Sequence, residues 1–147
     1  MNDGRSDVGR PSRFTEVQLV VQADGRERLE RGEDARDDIL WAERILRRVP
    51  DLDPTARSAY RGLADRAHAV LDPLLATIRS DEFAAIAHPG AAEVAELRLT
   101  TDKTWRAIGS KLGMSERWCR MRYDDAARAL DELERGRRDD GADDGTE

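Results

Sequence analysis

The chain has few of the residue types from which reactive sites are usually built. It has one cysteine, Cys119, and two histidines, His68 and His88. That excludes an internal disulfide and leaves too few ligands of the usual types for a four-ligand zinc site. No metal or other cofactor is expected. No run approaches the roughly 18 to 20 apolar residues that a membrane span needs. The opening Met1-Asn2-Asp3-Gly4-Arg5 also lacks the apolar core of a secretion signal. A cytoplasmic protein without membrane attachment is therefore expected. Catalytic patterns are missing as well: there is no glycine-rich phosphate loop, no Ser or Cys nucleophile near a plausible base, and no carboxylate pair set apart from arginine. A non-enzymatic role is predicted.

Charge, by contrast, is abundant. Charged residues make up 38% of the 147 and hydrophobic ones 39%, a balance that suits long solvated helices with unfolded ends. Lysine is nearly absent, with only Lys103 and Lys111 beside 23 arginines. A net charge of −6 would oppose approach to nucleic acid if it were evenly spread. It is concentrated instead. Between Thr101 and Leu130 the cations Lys103, Arg106, Lys111, Arg117, Arg120, Arg122 and Arg128 outnumber the anions Asp102, Glu116, Asp124 and Asp125. Seven against four leaves that segment at +3 within a chain that is −9 elsewhere.

Periodicity predicts an all-α fold: a polar tail at 1–13, a helical N-terminal region at 14–88, a helix-turn-helix domain at 91–135 and an acidic tail at 136–147. Both tails are expected to be disordered. Phe14 to Leu29 reads two ways, because Val17, Leu19 and Val21 alternate as in a strand while Thr15 suits a helix cap; helix is preferred. A separate helix follows, with Ile39, Ala42, Ile45, Leu46 and Val49 at helical spacing. Asp34, Asp37 and Asp38 load its start with negative charge, and Arg47 and Arg48 load its end. After Pro50, Asp53-Pro54 opens a helix with the stripe Ala56, Tyr60, Leu63, Ala67, Val70 and Leu74. Pro73 either kinks that helix or starts another. Ser80 can cap a short turn carrying Phe83 and Ile86, and His88-Pro89-Gly90 is the best domain boundary. Trp41 and Trp105 are assigned to the core.

The informative stretch begins after a short helix marked by Val94, Leu97 and Leu99. From Trp105 to Tyr123 the sequence predicts two helices and a tight turn. Gly113 falls where the first helix must end in the left-handed conformation, which glycine adopts at no steric cost. Met114 is expected to tuck inward, Ser115 to cap the second helix, and Gly109 to allow close approach of the two. Ile108, Leu112, Met114 and Cys119 would fix the crossing. With Cys119 inward, Tyr123, Ala126 and Leu130 share its face, while Arg117, Met121 and Arg128 look outward, flanked by Trp118, Arg120 and Arg122. Asp124 and Asp125 are read as outward too, either beyond a DNA groove or paired with Arg120, Arg122 or Arg128.

The residues Trp105, Ile108, Gly109, Leu112, Gly113, Met114 and Ser115 resemble the helix-turn-helix of the C-terminal promoter-reading domain of bacterial sigma factors. That likeness covers about 25 residues, and Trp118 stands where the pattern has a small or β-branched residue. More loosely, the stretch Trp41 to Pro50 together with the C-terminal element resembles an uncharacterised family of phage- and prophage-associated proteins. The resemblance implies double-stranded DNA as the partner, contacted by Lys103, Arg106, Lys111, Ser115, Arg117, Trp118, Arg120, Met121, Arg122 and Arg128. The N-terminal helices would then form a homo-oligomer or meet another protein, as in a small terminase subunit or a transcriptional regulator. A competing expectation is a protein-interaction module of sigma-like shape that binds polymerase or a phage component and not DNA.

Overall fold

In a computed structural model the backbone is described for residues 24–146 and the side chains for 24–137. The tail expected at 1–13 and most of the ambiguous stretch from Phe14 lie outside the described residues. Among the described residues six helices follow in order: α1 Gly25–Arg48, α2 Pro54–Ile78, α3 Asp81–Ile86, α4 Ala91–Thr100, α5 Trp105–Leu112 and α6 Glu116–Thr146. The described residues contain no strand.

Capping sets most of these boundaries. Asp24 accepts a hydrogen bond from the Glu27 N–H at 2.7 Å, Ser80 from Phe83 at 3.2 Å and Thr104 from Ala107 at 3.1 Å. Each satisfies a backbone donor that the first helical turn leaves without an internal partner. Asp53 caps α2 through Ala56, with Pro54 in the first turn. Pro73 faces solvent and α2 continues past it to Ile78, so no new helix starts there.

Where the sequence pattern predicts a break between residues 14–29 and a helix beginning near Asp34, α1 is one helix from Gly25. Gly32, in its middle, breaks nothing because it is a contact point: a Cβ there would lie 2.7 Å from Leu74 Cδ2 and 2.9 Å from Leu99 Cδ2. At the other end of the chain, α6 runs through Gly136 to Thr146, over the stretch expected to be an unfolded tail. No proline interrupts it, and Gly136, Gly141 and Gly145 each cost a helix about 1 kcal/mol.

α1 and α2 form an antiparallel hairpin, with Gly32 level with Leu74 and Ala35 level with Ala67. Its open end packs on α4 and α6. Leu29, Leu71, Leu74, Ile78, Phe83, Val94, Leu99, Ile108, Cys119 and Leu130 fill one continuous core that joins the hairpin to the C-terminal helices. Gly25 sits directly on the Ala127 backbone of α6, and its N–H donates to Asp131 Oδ1. The Tyr123 hydroxyl of α6 donates to Glu33 of α1 at 2.6 Å.

Two sequence assignments to the core fail along the hairpin. Trp41 is 50% exposed, because it lies on the side of α1 turned away from α2. Val70 is exposed on α2, where the stripe that packs inward is Ala67, Leu71, Leu74, Leu75 and Ile78. Trp105 is partly buried against the core, as expected.

Candidate functional site

The site is built where α5 ends and α6 begins. Gly113 closes α5 at φ 70° and ψ 30°, the left-handed region that costs a residue with a Cβ roughly 1–2 kcal/mol. Its N–H and that of Met114 turn back onto the last carbonyls of α5, the Met114 N–H reaching Gly109 O at 2.9 Å. Ser115 Oγ then accepts the Trp118 N–H at 3.0 Å and opens α6. Gly109 is buried under this turn. A Cβ added there would stand 2.5 Å from the Met114 carbonyl oxygen, so only glycine allows this approach.

Beneath the turn, Ile108 and Cys119 are fully buried and Tyr123, Ala126 and Leu130 continue their face. Burial pushes the Cys119 thiol above its ordinary pKa. The ring of Trp105 meets Tyr123 edge-on at 5.1 Å, with the Arg98 guanidinium 4.4 Å from its centroid on another side. Arg98 also lies 3.5 Å from Glu33 and donates to the Lys103 carbonyl at 3.2 Å. Burial first, and then the hydrogen bond to Glu33, hold the Tyr123 hydroxyl well above its ordinary pKa.

The residues expected to meet DNA divide into two groups. Arg106, Lys111, Arg117 and Arg120 are exposed, and none forms an ion pair with a described residue. Arg120 reaches over the Trp105 ring at 5.8 Å. Met121 is 46% exposed beside them. Lys103 is half-buried in the connection before α5, and Ser115 is used as a cap.

The other members are engaged internally. Asp125, read as outward, is only 5% exposed. It pairs with Arg122 at 3.0 Å and also with Arg128, the second of the two alternatives left open for it. Arg122 is thereby half-buried, while the rest of the Arg128 side chain stays in solvent. Trp118 packs against Gly90, whose missing Cβ would fall 2.5 Å from the indole, and the Arg122 guanidinium lies 5.7 Å from its ring. Asp124 is outward as expected and pairs with Arg26 across the junction with α1. Met114, expected to tuck inward, is 41% exposed; its backbone makes the turn and its side chain points away.

Sequence reasoning missed Arg98, Glu33 and Arg26, which join α1 and α4 to this unit. None belongs to the local motif. The i±3 spacing of Asp125 from Arg122 and Arg128 was the one readable signal of the internal cluster.

No family model, curated protein or solved structure matches the chain. Among the described residues no group of His, Cys, Asp and Glu could hold a metal ion, and no helix is long and apolar enough to cross a membrane.

Proposed function

We propose that the chain binds double-stranded DNA, using α5 and the first turns of α6 as a helix-turn-helix. The carrying observation is the group of exposed cations Arg106, Lys111, Arg117 and Arg120, which form no ion pair with a described residue, around a glycine-closed, serine-capped turn. Arg117 and Met121 stand one turn apart on the solvent side of α6, where a helix seated in the major groove directs its early residues to base edges. Arg106 and Lys111, on the preceding helix, are suited to phosphates. The surface is small and the rest of the molecule is acidic, so one copy would bind weakly and with steep dependence on salt. A phage- or prophage-type DNA-binding protein, either a terminase small-subunit-like packaging factor or a transcriptional regulator, is the setting this reading suits.

The test is the salt dependence of binding to mixed-sequence duplex. Replacing Arg106, Lys111 and Arg117 together by alanine should flatten the plot of log K against log salt by about 0.9 for each phosphate contact removed. An unchanged slope would remove this surface as the contact.

One set of observations favours a second reading, a protein-interaction module. Asp125 withdraws Arg122 and Arg128 from the cationic surface, and Met114 and Met121 leave apolar area exposed beside it. Such a module would give no retardation of duplex DNA at low salt even at tens of micromolar protein, about the range of non-specific binding.

A further inference from the structure

The outer side of α1 carries a pattern that nothing among the described residues uses. Trp41, half-exposed, lies on the face turned away from α2. Seven and three residues before it stand Asp34 and Asp38; three and seven residues after it stand Arg44 and Arg48. All four are exposed, and none forms an ion pair with a described residue. The spacing makes two like-charge i,i+4 pairs, Asp34 with Asp38 and Arg44 with Arg48, each mildly destabilising to an isolated helix. Asp37, also exposed, adds to the acidic side and pairs with its neighbour Arg36. Val70, the other conspicuous exposed hydrophobic residue of the hairpin, lines the shallow groove whose α1 wall carries Asp34 and Asp38.

We infer that this face pairs with the same face of a second copy, antiparallel, about a two-fold axis at Trp41. The sequence is anti-palindromic in charge around that residue, which is what a self-complementary two-fold contact requires. Antiparallel pairing lays Trp41 on the partner's Trp41 and brings Arg48 level with the partner's Asp34. Arg44 comes level with the partner's Asp37 and Asp38. Parallel pairing would instead set Asp34 against Asp34 and Arg48 against Arg48. The charges thus select the orientation, and the indoles supply the desolvated centre. The contact from Asp34 to Arg48 is about 21 Å long, short for a permanent interface, so the dimer exchanges with monomer and weakens with salt.

The pairing stands independently of what α5 and α6 bind. Its consequence for them is placement, because Tyr123 is fastened to Glu33, eight residues before the axis. Each dimer therefore carries its two α5–α6 units on opposite sides of the two-fold.

Sedimentation equilibrium of the full chain without DNA tests this. At about 200 µM and low salt the wild type should show a mass well above the monomer's, a range where weak two-fold contacts become populated. Asp34→Arg with Asp38→Arg should be monomeric, as should Arg44→Asp with Arg48→Asp. An equimolar mixture of these two variants should recover the association, and so should a chain carrying all four exchanges. Trp41→Ala should weaken dimerisation at least tenfold with helical circular dichroism unchanged. A monomeric wild type, or charge-reversed variants that associate as the wild type does, would overturn the inference.

Discussion

Gly109 offers the sharpest energetic test of the turn. Alanine in the middle of an exposed helix is ordinarily better than glycine by about 1 kcal/mol. Here the added methyl carbon would stand 2.5 Å from the Met114 carbonyl oxygen, with Ser115 C at 3.5 Å and Glu116 N at 3.6 Å. These are backbone atoms, so relief requires the whole turn to move by several tenths of an ångström or more. The same movement strains the 2.9 Å hydrogen bond from the Met114 N–H to Gly109 O. Overpacking costs about 1–3 kcal/mol and a weakened hydrogen bond about 1. After the gain in helix propensity, Gly109→Ala should destabilise by about 1–3 kcal/mol. Gly113→Ala meets no atom within 4 Å and suffers only the left-handed backbone. Allowing for the reduced entropy of its unfolded chain, it should cost about 1 kcal/mol. Urea denaturation of both variants gives the comparison. A Gly109→Ala protein as stable as wild type would refute the close approach of the turn to α5.

Four further outcomes follow from the same geometry. Arg122→Ala leaves Asp125 buried with Arg128 as its one remaining cation, and should cost about 1–3 kcal/mol in chemical denaturation. Arg117→Ala, removing an exposed side chain that pairs with no described residue, should change stability by less than about 0.5 kcal/mol. Because the folded state holds Tyr123 protonated above its ordinary pKa, the wild type should lose stability as pH rises through about 10, where the unfolded tyrosine ionises first. The loss should approach about 1.4 kcal/mol per pH unit from this group, and Tyr123→Phe should lack that component in alkaline denaturation curves. Gly25→Ala should drive α1 off the Ala127 backbone and cost about 3 kcal/mol or more, read as a lowered melting temperature.

Local grammar carried most of what sequence reading achieved. Gly109, Gly113 and Ser115 were assigned their roles from turn and cap chemistry, and the inward face of Cys119, Tyr123, Ala126 and Leu130 from a 100° step. Those inferences depend on residues within one or two turns of each other. Failures arose where a helix has neighbours on more than one side. A wheel centred on Cys119 turns Asp125 outward, but the inward arc of α6 is broad enough to cover it. On α1 the opposite happens: among the described residues the far part of the hairpin packs only α1 against α2, so an apolar residue such as Trp41 can remain outside. The continuity of α1 through Gly32 was hidden as well, since the partners that need a glycine there, Leu74 and Leu99, lie more than 40 residues away.

The central claim is that duplex DNA lies against the exposed cations of α5 and early α6. Titrating isotope-labelled protein with a mixed-sequence duplex at low salt, and following backbone amide resonances, tests it most directly. Shifts should concentrate at Arg106, Lys111, Arg117, Arg120 and Met121 and leave the far end of the hairpin, from Arg44 to Arg61, unmoved. A spectrum that does not respond, or responds first at the hairpin end, would contradict the claim.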